Sequence, residues 1–253
     1  MKDYDLPDSS LNEFLKLAER SGQKISVGMS SKGDGDMGDL PRRMREAHLI
    51  NRKKFFREHA IPEKHVRMPK ISNTAELCFT IHESPRTVFG VGGGGLSGLL
   101  TNDKDLFLAT TSKNSPTLLG FDPMQGIVFN ARFGLVGLKK DLPGRIIELM
   151  ERHGSYPDDI VVWIGPTLDS ECFKLASIGP INHGNQGRSV RAWFEKFLPA
   201  TAREIDLSFD PREVIKNGFL KKGVLAENII VSQLCTACVD RISSTRIVLI
   251  AKH

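Results

Sequence analysis

The sequence predicts one domain of mixed α/β class, and three observations support that prediction. Apolar residues recur at helical spacing in some segments, whereas in others they run continuously or alternate over the length of a strand. The 253 residues are 40% apolar and 26% charged, which excludes a disordered or fibrous chain. No Pro/Gly/Ser-rich linker and no internal repeat divides the chain. We therefore expect a single domain over residues 25–253, preceded by an N-terminal extension over residues 1–24.

The elements are predicted in order from these patterns. The extension begins a short helix capped by Ser9 or Ser10, and a second helix runs from about Pro41 to His59. The next segments are strand-like: 77–82, 86–91, 106–110, 117–121 and 126–133. Helical spacing at 146–153 ends at Gly154, a short apolar strand covers 160–165, and a helical face covers 190–198. A helix capped by Asp210 and closed by Gly223 is followed by strands over 228–232 and 246–251.

The net charge of +5 is concentrated in one segment. Residues 41–70 carry ten Lys or Arg side chains against three Glu, so the rest of the chain is slightly acidic. Such a patch is typical of a solvated helix face, and no aromatic stacking ladder, zinc finger or recognition helix accompanies it. A nucleic-acid partner is therefore disfavoured, although a basic interaction module stays open as one functional hypothesis.

The chain also indicates a compartment. No apolar run approaches the length that crosses a bilayer, and the first residues lack the apolar core of a secretory peptide. Four cysteines are too few for a disulfide scaffold of this size. We expect a cytoplasmic protein with no membrane partner.

Two short motifs have chemical interpretations that we weigh against simpler ones. The glycine run 90–95 lacks the Lys-Ser/Thr of a phosphate loop and is better interpreted as a flexible hairpin or a close backbone approach. Cys235-x-x-Cys238 has the spacing of a redox motif or of half a zinc site. A zinc site would need a second ligand pair, for which Cys78 with His82 is the only compact candidate in the sequence. We therefore favour neither a redox role nor a zinc site.

Several segments, in order, resemble the YfiH-type laccase-domain family, also described as multicopper polyphenol oxidoreductase-like or purine nucleoside phosphorylase-like. Ile164-Gly165-Pro166 resembles the family's "IGP" segment, Leu99-Leu100-Thr101 its "DALVT", and Cys235-Thr236 its "CT". The segment from Asp240 to Arg246 resembles "FFSYR". The resemblance covers about residues 25–251 and implies a layered α/β/β/α sandwich.

The family's three active-site motifs are altered in this chain. The first His position of the family is Ser72, the Cys position is Asn114, and the second His position is Arg132. Lys113 stands where the family has Asp, and Lys32 corresponds to an Arg of an early family motif. The family's zinc or copper chemistry needs lone pairs from imidazole and thiolate, which Ser and Asn supply poorly and Arg not at all. We therefore expect no metal and no cofactor at these positions.

The replacements favour an anion-binding site. Lys113 and Arg132 add positive charge beside hydrogen-bonding side chains, and Arg presents a fork suited to phosphate or carboxylate. We predict that the ligand-binding residues are Lys32, Ser112, Lys113 and Arg246, with Ser72, Asn114 and Arg132 at the family's catalytic positions. The expected function is a non-catalytic or anion- or nucleotide-binding family member. An active nucleoside phosphorylase, adenosine deaminase or polyphenol oxidoreductase with altered site residues is the alternative, so enzymatic activity stays open.

Overall fold

The computed structural model describes most of the chain. The described residues are 8–37, 45–70, 75–81, 83, 87–88, 95–112, 115–170, 172, 210–236, 238 and 246–253. None of the helices in these ranges combines the length and apolarity that a bilayer crossing requires.

The described strands form two sheets. The first contains, in spatial order, β1 (Ile25–Met29), β11 (Arg246–Lys252), β6 (Phe107–Ser112), β2 (Val66–Pro69) and β4 (Thr87–Val88). The second contains β10 (Ile229–Val231), β9 (Val161–Ile164), β7 (Thr117–Asp122), β8 (Ile127–Arg132), β5 (Gly98–Thr101) and β3 (Leu77–Phe79). The helices are α1 (Ser9–Arg20), α2 (Arg45–Glu58), α3 (Leu135–Lys139), α4 (Leu142–Glu151) and α5 (Pro211–Lys221).

Alternating strand residues divide the apolar core into layers. In β11, Ile247 and Leu249 pack with Phe55 of α2, whereas Val248 and Ile250 pack between the two sheets. In β9, Val162 and Ile164 face α4 and α5 on the outer side of the second sheet, whereas Trp163 faces inward. The order is therefore α2, first sheet, second sheet, then α4 and α5. The mixed α/β class and the predicted α/β/β/α sandwich are both confirmed.

One polar side chain joins the two sheets inside this core. Asn130 of β8 is 0% exposed, and its Nδ2 donates to the carbonyl oxygens of Leu108 (2.9 Å) and Val248 (2.8 Å). Its Oδ1 accepts a 2.6 Å hydrogen bond from Thr110 Oγ1. All three partners lie in the first sheet, so this amide links the two sheets by three buried hydrogen bonds.

The structure corrects several predicted elements. The cap of α1 is Asp8, whose Oδ1 accepts from the Ser10 backbone at 3.0 Å, and not Ser9 or Ser10. Strands β1, β2 and β5 were missed, since their short apolar stretches lack strong boundary signals. The predicted helical face at 190–198 and most of the glycine run lie outside the described residues. Helix α1 packs against β1 and β9, and the domain boundary at residue 24 stays a prediction.

Several basic side chains of segment 41–70 form contacts within the fold. Arg52 donates from Nε (2.8 Å) and Nη2 (2.6 Å) to the Met37 carbonyl oxygen. Arg67 is 3% exposed and donates to the Lys64 carbonyl oxygen at 2.9 Å. Lys54 and Glu58 form an exposed pair at 3.8 Å, one helical turn apart. These three basic side chains therefore have partners within the chain itself.

The burial of His59, just after α2, leads us to expect that the stability of the fold decreases in acid. Its ring lies 4.2 Å from that of Phe55, and burial lowers the pKa of His59 below its usual 6.5, with Asp34 and Glu58 partly opposing the shift. The unfolded chain therefore binds more protons here below about pH 6.5, so stability falls as the pH falls through this range. Urea unfolding across that range should show a shallower pH slope for His59→Phe. An identical slope in the variant and the parent would contradict the assignment.

Candidate functional site

Three of the predicted site residues meet at one end of the sandwich. Ser112 ends β6, Arg132 ends β8 and Arg246 begins β11. Within the first sheet Arg246 is paired with Ser112, and within the second Arg132 is paired with Thr117 at the start of β7. The hydrogen bond from Asn130 of β8 to Val248 of β11 links the two sheets two residues from Arg132 and Arg246. The strand ends therefore lie at the same end of the sandwich, although Arg246 is more than a hundred residues from the other two in sequence.

Arg246 is a buried cation held by backbone oxygens. It is 0% exposed, and its Nη2 donates to the carbonyl oxygens of Ser115 (3.2 Å) and Pro166. Burial lowers the pKa of Arg246 to about 10, Asp8 opposes that shift, and Arg132 adds to it. The guanidinium thus ties together the segment before β7 and the loop after β9, and its charge contributes to the electrostatic potential at this end of the sandwich.

Arg132 is the more accessible of the two arginines. Its backbone N–H donates to the Ser97 carbonyl oxygen at 2.7 Å, which extends the pairing of β8 with β5, and its residue is half-buried. Its charge is close enough to lower the pKa of Arg246. Two arginine charges therefore lie near each other, one on a fully buried residue and one on a half-buried residue.

The remaining predicted residues are described only in part. The backbone of Lys32 lies in a 3₁₀ turn, Lys32–Asp34, next to β11, because Ser30 Oγ accepts a 3.0 Å hydrogen bond from the backbone of Ile247. The side chain of Lys32 lies outside the described residues, as do Ser72, Lys113 and Asn114. Their roles as site residues stay predictions.

A second group of side chains, which sequence reasoning did not assemble, lies at the same end. One side-chain ligand atom from each of Asp169, Cys172, Cys235 and Cys238 lies within 4.8 Å of the other three. Hydrogen bonding to Cys238, Cys235 and Asp169 raises the pKa of Cys172 to about 12. The backbone N–H of Cys172 lowers the pKa of Asp169 below its usual value.

The pairing of Cys235 and Cys238 with Cys78, considered from the sequence, is wrong. Cys78 lies in β3, and β3 and β10 are opposite edges of the second sheet. The partners are Cys172 and Asp169, which follow β9, the strand that runs parallel to β10. The C-x-x-C spacing indicated half of the cluster, but strand adjacency was needed to find the other half.

A surface cavity of about 540 Å³ lies on a different part of the molecule. Lys140, Arg145, Glu148 and Arg152 line it with residues 75–77 of the β3 region. Its charges are partly satisfied within the chain, since Arg145 Nη1 lies 3.3 Å from Glu76 Oε1. Lys222 Nζ lies 2.9 Å from Glu148 Oε1. None of the predicted site residues lines this cavity.

Comparisons with known proteins agree on the fold and the family. A family model described as multi-copper polyphenol oxidoreductase laccase matches residues 33–246. The structure of YlmD from Geobacillus stearothermophilus is similar with a TM-score of 0.70, 21% identity and 91% coverage of both chains. The Bacillus licheniformis hypothetical protein YfiH is similar with a TM-score of 0.69 and 17% identity, covering 90% of this chain and 92% of that one.

A curated relative gives a shorter match. Purine nucleoside phosphorylase YlmD of Bacillus subtilis (strain 168) is 28% identical over 147 residues, which are 55% of this chain. The match spans about half of that relative, 49% of its length. Because the family match extends over most of the chain, and the two solved structures have the same fold, this chain belongs to the multi-copper polyphenol oxidoreductase laccase family.

Proposed function

We propose that this chain binds a small phosphate-bearing ligand at the end of the sandwich where Arg132 and Arg246 meet. The observation that supports this most is that Arg132 ends β8 and Arg246 begins β11, two residues from the Asn130–Val248 hydrogen bond that joins these strands. The charge of Arg132 also helps to lower the pKa of Arg246. A fixed pair of cations that is partly shielded from water attracts an anion more strongly than exposed cations do.

The two arginines have different parts in this proposal. Arg246 is fully buried and already donates to Ser115 and Pro166, so it contributes charge from below the surface. Arg132 is half-buried, and its guanidinium fork is the group that we expect to contact the phosphate. Ser112, paired with Arg246, lies beside them with Lys32, Lys113, Ser72 and Asn114 as the predicted surrounding residues.

The metal implied by the family does not fit the donors at these positions. Arg132 has no lone pair to offer a zinc or copper ion, and Ser72 and Asn114 are poor ligands for either metal. The charge of Arg132 beside that of Arg246 also repels a divalent cation. We therefore assign no step to a metal here.

Both inorganic phosphate and nucleotides carry the chemistry that this site would recognise. The name of the Bacillus subtilis relative, a purine nucleoside phosphorylase, makes phosphorolysis the catalytic alternative, in which inorganic phosphate would be a co-substrate. Adding a nucleoside together with phosphate distinguishes the two cases, because only an active phosphorylase would release the free base.

Replacing Arg132 with Gln is expected to weaken binding of inorganic phosphate and of AMP by about tenfold or more. The reason is the loss of a charge-assisted hydrogen bond, which contributes about 1.5–3 kcal/mol. Isothermal titration calorimetry at two salt concentrations measures the effect, and the affinity of the parent should fall as salt increases.

Arg145→Gln is the matched control, because it removes the same charge from an exposed position on α4, where Arg145 pairs with Glu76. It should bind phosphate as the parent does. Equal binding by Arg132→Gln and the parent would contradict the proposal. Release of hypoxanthine from inosine plus phosphate, abolished in Arg132→Gln, would favour the phosphorylase alternative over a non-catalytic role.

A further inference from the structure

We propose that Asp169, Cys172, Cys235 and Cys238 form a structural zinc site that fastens the loop after β9 to the loop after β10. This site is separate from the family positions Ser72, Asn114 and Arg132, and it does not depend on the anion proposal.

The topology of the sheet brings the four residues together. Strands β9 and β10 are adjacent and parallel, with Val231 beside Ile164, so the loops that follow them leave the same edge of the sheet. Thr167 and Cys235 form a β-bridge beyond the strand ends, and the Thr236 backbone N–H donates to the Thr167 carbonyl oxygen at 3.0 Å. The two loops are therefore held in register before any metal binds.

Local turns then direct the side chains inward. The Cys238 backbone N–H donates to the Cys235 carbonyl oxygen at 3.2 Å, which closes the C-x-x-C turn. In the other loop the Cys172 backbone N–H donates to Asp169 Oδ1 at 2.8 Å. That bond orients the carboxylate, as supporting contacts do for metal-binding carboxylates, and its other contacts are with the Cys172 and Cys235 thiols that would share the ion.

The distances fit a tetrahedral ion. A zinc–sulfur bond of about 2.3 Å places two sulfurs of a tetrahedral site about 3.8 Å apart. The Cys172 and Cys238 sulfurs are 3.5 Å apart, and each of the four candidate ligand atoms lies within 4.8 Å of the others. Small side-chain rotations would place all four on one ion.

The donor set selects the metal class. Three thiolates favour zinc over magnesium or calcium, which prefer oxygen ligands. Four protein ligands also complete the coordination of zinc and leave no open position, as in structural rather than catalytic sites. Arg212, 6% exposed, interacts electrostatically with Asp169 and Cys235 and partly offsets the excess negative charge of such a site.

A disulfide is the competing use of these thiols, since Cys172 and Cys238 lie close together. It would leave Cys235, 5% exposed, and Asp169 without a shared role, whereas a zinc ion uses all four groups. The experiment below distinguishes the two.

The full chain, purified with a reductant and dialysed, is expected to contain one zinc ion per molecule by mass spectrometry of the metal. Replacement of zinc by Co²⁺ should give the intense absorption of a tetrahedral site with thiolate-to-cobalt charge transfer. Cys172→Ser and Asp169→Asn should each weaken zinc binding by about 100-fold or more, because loss of a ligand should exceed the 10–100-fold cost of losing a ligand's supporting contact.

Cys78→Ser is the matched control, because it removes the fourth cysteine at the opposite sheet edge and should retain the zinc. The proposal is overturned by metal-free parent protein that fails to take up Zn²⁺ or Co²⁺, by a cobalt spectrum without thiolate charge transfer, or by a Cys172–Cys238 disulfide in reductant-purified protein. Unchanged zinc affinity in Cys172→Ser would also overturn it. The spectra of the parent decide the matter even if a variant does not fold.

Discussion

Replacing Asn130 with Leu is expected to lower the free energy of unfolding by about 3 kcal/mol, although the two side chains have similar volumes. The substitution removes the donors to Leu108 and Val248 and the acceptor for Thr110, all within a core where water does not replace them. Because Leu and Asn have similar volumes, the loss is one of hydrogen bonding and not of packing. Urea denaturation monitored by Trp fluorescence measures it.

Thr110→Val provides the comparison, since it removes only one of the three hydrogen bonds and should cost about 1 kcal/mol. Combining the two substitutions should cost less than the sum of the single effects, because Asn130→Leu leaves a buried Thr110 hydroxyl that Thr110→Val removes. A change below about 0.5 kcal/mol in Asn130→Leu would mean that the amide does not join the sheets energetically.

Asn130 also illustrates why the fold class was predictable but its internal contacts were not. Helical spacing in 146–153 and the continuous apolar run at 160–165 correctly indicated α4 and β9, since both patterns follow from the local geometry of one element. In contrast, nothing in the sequence near Asn130 indicates partners in β6 and β11. Those contacts depend on how two sheets stack, which local periodicity does not determine.

The candidate site shows the same division. The family resemblance named Ser112, Arg132 and Arg246, and the structure places all three at strand ends, because family motifs follow positions in a shared fold; their role as site residues stays a prediction. Residue chemistry then predicted positive charge there. Motif comparison could not predict the hydrogen bonds from Arg246 to the Ser115 and Pro166 carbonyl oxygens, because these residues are distant in sequence. The cysteine cluster was likewise hidden, because Cys172 joins Cys235 only through the parallel pairing of β9 and β10.

The loop after β9 contributes to both proposed sites, so a change at one site can affect the other through this loop. Pro166 accepts a hydrogen bond from Arg246, and Thr167, two residues before Asp169 of the proposed zinc site, forms a β-bridge with Cys235. Removing zinc would therefore loosen a segment that also contacts the buried arginine. We expect Arg132→Gln to keep its zinc, because Arg132 is not one of the four proposed zinc ligands.

Replacing Arg246 with Met is expected to lower the free energy of unfolding by about 4 kcal/mol, within the range for breaking a buried charge interaction. Met fills most of the volume of the side chain, but the Ser115 and Pro166 oxygens lose their donor. Asp8, a carboxylate that is 2% exposed, also loses the cation that it attracts. Chemical denaturation of the full chain measures the loss, and a change below about 1 kcal/mol would contradict a structural role.

The part due to Asp8 can be isolated by a double-mutant cycle. Asp8→Asn in the Arg246→Met background removes a buried carboxylate that no longer faces its cation, so it should cost less than Asp8→Asn in the parent. Asn keeps the cap of α1, because its side-chain oxygen still accepts from the Ser10 backbone.

Arg132→Gln, at a half-buried position, should change stability by less than about 1 kcal/mol while weakening phosphate binding. That contrast would assign the buried arginine to the fold and the accessible one to the ligand.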